Sequence, residues 1–260
     1  GAYDGKIVER NAAGEEVRPL DISITKNVLG LFINSAVLLV IMMSCVRWYK
    51  KHPLEDGAPK GGVGMIEATV LSIYNDVIKG CIGENYRRYA PYLLTAFFFV
   101  LVNNLMGLIP IFPGGANVTG NIAITLVLAL CTFVLTNVYG TKAYWKEIFW
   151  PDVPTWLKAP IPMMPLIEFF GIFTKPFALM IRLFANIMAG HAAVLSLVAI
   201  IFITVKSGPV INGSMTVVSV AFSIFMNALE ILVAFIQAYV FTMLSAVFIG
   251  LSQVKEHAEK

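Results

Sequence analysis

From residue 161 to residue 254 the only formally charged side chains are Glu168, Lys175, Arg182, Lys206 and Glu230, set in an otherwise apolar background. Glu168, Lys175 and Arg182 are spaced by seven; on a helix each drifts by only about 20° from the last, so the three share one stripe. Asn186, four residues after Arg182, extends that stripe by a turn. His191 follows Arg182 by nine positions, about 180° around an ideal helix, and so looks into a different environment. Further on, Glu230 and Gln237 are again seven apart, with Asn227 one turn earlier. An antiparallel hairpin can bring His191 near Glu230. An imidazole whose ordinary pKa is near 6.5, beside a carboxylate, is suited to passing protons.

Arg182 carries the sharpest constraint. A guanidinium does not lose its charge on burial, and at the centre of a membrane helix it costs roughly 2.5 to 3.5 kcal/mol. No carboxylate stands three or four residues away on either side of Arg182 to neutralise it. Since an unpaired buried charge is strongly unfavourable, the pattern points to a carboxylate supplied by another polypeptide, and intramembrane ionisable groups mark ion pathways. Asn186 and Gln237 taken singly also read as interhelical hydrogen-bonding residues. Lys175 and Lys206, near segment ends, are placed to snorkel toward an interface.

The elements that must position these groups are membrane helices. Of 260 residues, 58% are hydrophobic and 13% charged, and the mean hydropathy is +0.77, outside the usual range of a soluble domain. Residues 1–26 form a polar segment. Residues 27–47 are apolar for long enough to cross a hydrocarbon core of about 30 Å and end in the basic and aromatic collar Arg47-Trp48-Tyr49-Lys50-Lys51-His52. Such a collar belongs at a cytoplasmic interface, which puts the N-terminus outside. A Gly- and Pro-rich linker leads into residues 62–89, whose Glu67, Asp76, Lys79, Glu84, Arg87 and Arg88 suit an amphipathic helix lying on the membrane surface. Residues 90–140 predict a transmembrane hairpin with an uncharged connection at residues 110–117, and Lys142, Trp145, Lys146, Trp150, Trp156 and Lys158 return the chain to the cytoplasmic side.

The apolar runs 161–205 and 215–254 are about twice too long for ordinary spans. Between Met215 and Ile249 there is neither Gly nor Pro, so residues 161–254 read as a hairpin of two long, steeply tilted helices, with Gly171, Pro176 and Gly190 available for bends in the first and residues 206–213 as the turn. The alternative cuts each run into broken or re-entrant pairs. The expectation is an all-α integral membrane protein with one membrane domain overall.

Several classes fall away. The net charge of +3 is small and scattered, which argues against nucleic acid as a partner. Cys45, Cys81 and Cys131 form no CxxC pair and read as packing residues. No nucleotide loop, metal cluster or nucleophile constellation is present in the sequence, so neither cofactor nor metal is expected and the chain performs no covalent chemistry of its own.

The stretches KPFALMIRLFANIMAGH (175–191), LEILVAFIQAYVFTMLS (229–245), NNLMGLIP (103–110) and ANVTGNIAIT (116–125) closely resemble subunit a of the F-type ATP synthase membrane sector. The resemblance covers nearly everything after Asp21. It implies a proton-translocating stator subunit, one copy per complex, partnered by the c-subunit ring, b-type peripheral stalk subunits and the lipid bilayer. It implies that Arg182 faces the ring carboxylates, and that the two long helices lie along the ring between two offset half-channels. His191, Glu230, Asn186, Gln237 and Asn104 match inlet positions, and Glu168 matches an acidic residue of the cytoplasmic exit path. Gly107 departs from the acidic residue found there in some bacterial members, and His191 with Glu230 reverses the acid and histidine order of some of them. The implied location is a bacterial inner membrane, with the N-terminus outside and the C-terminus cytoplasmic; the mitochondrial inner membrane is the alternative. The rivals from other classes are a self-sufficient transporter or channel, for which the chain shows no internal repeat, and a scaffold whose polar residues only hold neighbouring subunits.

Overall fold

The structure, a computed structural model, describes residues 9–10, 16–17, 25–52, 59, 61–109, 118–149 and 163–253. The rest of the polar N-terminal segment, the connection 110–117 and the stretch with Trp150, Trp156 and Lys158 lie outside the described residues. Helix dominates. The β pairing among the described residues is one two-residue antiparallel ladder, β1 (Glu9–Arg10) against β2 (Glu16–Val17).

Helix α1 (Lys26–Lys51) starts at Thr25, whose hydroxyl accepts from the Val28 amide at 3.4 Å, and closes with Lys50 and Lys51 in its last turn, where cations complement the helix dipole. Only Gly30 and Asn34 of α1 are buried. Its packing partner is α4 (Tyr86–Leu108). Burial of apolar surface contributes little between helices in lipid, so the contact rests on close packing and polar glue: Asn34 Nδ2 donates to Asn103 Oδ1 at 2.9 Å.

Between these helices, α2 (Gly62–Ser72) passes into a π-helical stretch (Ile73–Lys79) and the short α3 (Gly80–Ile82). Ile73, Val77, Ile78 and Ile82 are buried while Asp76 and Lys79 face out, so this segment is amphipathic. Gly83, at φ 74°, takes the left-handed conformation that favours glycine and turns the chain into α4. The core seam joins this segment to α4 and the C-terminal helices through Leu93, Phe97, Leu183, Phe241 and Ile249.

Helix α5 (Ile122–Val138) is capped by Asn121, whose side chain accepts from the Ala123 amide at 3.0 Å. The chain then bends by 97° into α6 (Lys142–Phe149). Arg88 stacks over Tyr139 at 4.4 Å, placing the start of α4 beside the end of α5.

The last two helices are unbroken: α7 (Met163–Thr204) has 42 residues and α8 (Pro209–Ser252) has 44, roughly 63 and 66 Å at about 1.5 Å per residue. Pro176 sits inside α7 without ending it. The pair packs as an antiparallel hairpin. Its turn is shorter than the Gly- and Asn-rich residues 206–213 suggest. Gly208, at φ 100°, makes the reversal, and α8 starts at Pro209, a residue pre-organised for the first helical position. Asn212, instead of breaking the helix, accepts from the Thr204 hydroxyl at 3.0 Å. Four helices are long and apolar enough to cross a membrane, or five if the bent pair α5 and α6 counts as one span, which makes this an all-α integral membrane protein.

Candidate functional site

Helix α7 supplies Glu168, Arg182, Asn186 and His191, and α8 supplies Glu230 and Gln237. Where the two helices face each other, Asn186 Nδ2 donates to Gln237 Oε1 at 2.6 Å. Gln237 is buried, and its Nε2 has no partner among the described residues. From α4, Asn104 reaches in: its Nδ2 donates to the Ala234 carbonyl at 3.2 Å, while its Oδ1 is buried without a partner among the described residues. Glu230 and His191 lie close enough to sense each other's charge.

Asn104, Asn186, His191, Glu230 and Gln237 line a single cavity of about 290 Å³, whose remaining walls are mainly apolar, with Leu229 and Val233 among them. A water needs about 10 to 15 Å³ of such volume and two to four polar partners, so this cavity has room for a file of waters. Unpaired donor and acceptor atoms at Gln237 Nε2 and Asn104 Oδ1 are the kind of groups that ordered water satisfies.

Arg182 stands apart. It is exposed, as are the apolar Phe177 and Ile181 of the same helix, and it makes no hydrogen bond or ion pair among the described residues. Asn186, one turn away, turns into the cavity. The arginine therefore borders the cavity's helix without entering the cavity. Arg182 and His191, half a turn apart, do face different surroundings, but Asn186, which the spacing places on the stripe of Arg182, nevertheless lines the cavity with His191.

Glu168 is not part of this cluster. It lies 14 positions before Arg182, about 21 Å down the helix axis, half-buried near Tyr144 of α6. Burial, and then the neighbouring Glu168 carboxylate, push the Tyr144 phenol above its ordinary value. Asn227 does not join the cavity either; it is exposed and donates back to the Ser223 carbonyl at 2.8 Å.

The ATP synthase A chain family model matches residues 29–250. The chain belongs to this family. Among curated relatives, it is similar to ATP synthase subunit a of a strain of Chlorobium phaeobacteroides, with 47% identity across 98% of this chain and 75% of the relative. The subunit a of Chloroherpeton thalassium is 45% identical across 93% of this chain and 70% of the relative. That of Myxococcus xanthus is 39% identical across 92% and 75%.

The site also uses residues that the spacing of charged groups does not reveal. Gly190 is one. A Cβ built there would stand 3.1 Å from Glu230 Cδ and closer still to its carboxylate oxygen, so only glycine lets the carboxylate lie against α7. Small residues at helix interfaces in lipid are the signal that points to such an approach. The Asn34–Asn103 clasp is another. Asn103 precedes Asn104 by one residue, so fixing Asn103 against α1 fixes the rotation of α4 that aims Asn104 at α8.

Proposed function

We propose that this chain is the proton-translocating stator subunit of an ATP synthase membrane sector, in which Arg182 faces the carboxylates of a rotating c-subunit ring. The observation that carries the reading is the pairing of an unpartnered, outward-facing guanidinium with an adjacent water-sized polar cavity holding five of the six polar positions expected on the path. A guanidinium cannot relay protons, so it attracts a deprotonated ring carboxylate while blocking direct leakage past it. Each carboxylate, once protonated, is neutral and can pass through lipid. Protons must then ride the ring. Each charge crossing about 100 mV yields roughly 2.3 kcal/mol.

In this reading the cavity of Asn104, Asn186, His191, Glu230 and Gln237 is the inlet half-channel. Glu168, near the other end of α7, serves the exit. The N-terminal segment 1–26 lies outside, residues 62–89 rest on the cytoplasmic surface, and the C-terminus is cytoplasmic in a bacterial inner membrane. The chain contributes no covalent chemistry; b-type stalk subunits hold it against the torque. The deciding experiment is Arg182→Ala in the assembled complex. Coupled ATP synthesis should disappear while the ring remains associated. Synthesis at the parent rate would refute the role, and loss of ring association would favour a scaffold.

A further inference from the structure

A second, much smaller cavity of about 20 Å³ lies among α5, α6, α7 and α8, bordered by Thr136, Asn137, Tyr144, Ile172, Lys175 and Phe248. That volume suits one water molecule and no more. The threonine hydroxyls around it are already engaged. Thr132, which also borders the cavity, shares hydrogen bonds with Tyr92 at 2.8 Å and Ser245 at 3.3 Å, and Thr136 donates to the Thr132 carbonyl at 2.8 Å.

Besides the Tyr144 phenol, three groups of the lining residues remain without such a partner. Asn137 Nδ2 donates to the Phe133 carbonyl at 2.8 Å, but its Oδ1 is buried with no donor among the described residues. The carbonyl of Ile172 would take its helical hydrogen bond from residue 176, which is proline and has no N–H. The ammonium of the half-buried Lys175 has no acceptor among the described residues. The residues that line this space thus leave two acceptors and one donor, the complement of one molecule that can accept once and donate twice.

We propose that this niche binds a single water, which accepts from Lys175 Nζ and donates to Asn137 Oδ1 and the Ile172 carbonyl, and that Asn137 thereby holds Lys175 away from the outer stripe of α7. The functional part rests on the stator reading above. Lys175 and Arg182 are seven residues apart and share a helix face, so a released ammonium would swing out about 10 Å along the axis from the guanidinium. A lysine is the wrong cation there. As a second cation, a compact point charge, it would compete with Arg182 for the ring carboxylate. Asn137 is a positioning residue in this account.

Two measurements on the assembled complex test it. A high-resolution map of the unmodified complex should show one ordered water within hydrogen-bonding distance of both Asn137 Oδ1 and Lys175 Nζ; a dry niche overturns the proposal. In membrane vesicles, Asn137→Leu should slow coupled ATP synthesis about tenfold, and the double variant N137L/K175M should run at the rate of K175M alone. Parent-like synthesis in N137L overturns the proposal. So does a double variant as slow as N137L, or a K175M variant as slow as N137L, because then the freed lysine is not the fault. Should N137L fail to assemble, the map decides alone. Failure of the stator reading is distinguishable: Arg182→Ala would keep synthesis while the water remained in the map, whereas loss of synthesis in R182A with parent-like N137L sinks only the niche.

Discussion

The two cavities along the C-terminal hairpin differ by an order of magnitude in size, about 290 Å³ on one side of Arg182 and about 20 Å³ on the other. The larger is lined by polar side chains from three elements, with Gly190 yielding space to Glu230. The smaller is what remains where α5, α6, α7 and α8 close on one another around Thr132 and Ile172. The difference teaches that room for water here is set by the volume left between the helices as much as by side-chain polarity. Both regions carry buried polar atoms without protein partners, yet only one has the volume for continuous water. On the proposed reading, protons would approach Arg182 from the first side through a file of waters, and from the second only past individually placed groups such as Glu168.

The contrast can be broken or sharpened by substitution. Gly190→Val should have the largest effect, because the added side chain drives into Glu230 and takes up cavity volume. Proton conduction through the membrane sector, followed by vesicle acidification, should fall about a hundredfold, the scale of an ångström-level misplacement in a working site. Parent-like conduction in that variant would show that the large cavity is not the route. Glu168→Gln should slow conduction by a smaller factor of about ten, one lost proton carrier; a loss equal to that of Gly190→Val would mean that the two sides are not unequal after all. Asn34→Leu should have the smallest effect. It removes one interhelical hydrogen bond, worth about 0.6 kcal/mol on average in lipid, and a slight drop in the thermal midpoint of the purified complex would register it. A large drop would make α1 a structural keystone rather than a lightly clasped helix.

Much of this architecture is legible in the sequence for identifiable reasons. The 35 residues from Met215 to Ile249 without Gly or Pro favour a single helix over a broken pair, and the nine-residue spacing puts Arg182 and His191 in different surroundings, although the same rotation would group Asn186 with Arg182 rather than with the cavity it lines. What spacing cannot supply is the closeness of groups far apart in the chain. Asn34 and Asn103 meet across 69 positions. Gly190 matters only because Glu230 lies over it, and Asn137 becomes significant only once Ile172, Lys175 and Pro176 pack beside it. The start of α8 was obscured for a different reason. Gly208 and Pro209 look like a long turn, but in sequence they are also a reversal followed at once by a helix start.

The solitary charge of Arg182 also bears on how such a subunit reaches its place. A side chain that stays cationic, on a surface otherwise made for acyl chains, leaves the free polypeptide at a disadvantage of roughly 2.5 to 3.5 kcal/mol in the bilayer until a counterion arrives. On the proposed reading the order of construction is thereby biased: a subunit inserted beside an existing rotor is relieved at once, while one inserted alone stays exposed to degradation, so the arginine assigned to the finished machine would also keep unmatched copies from accumulating.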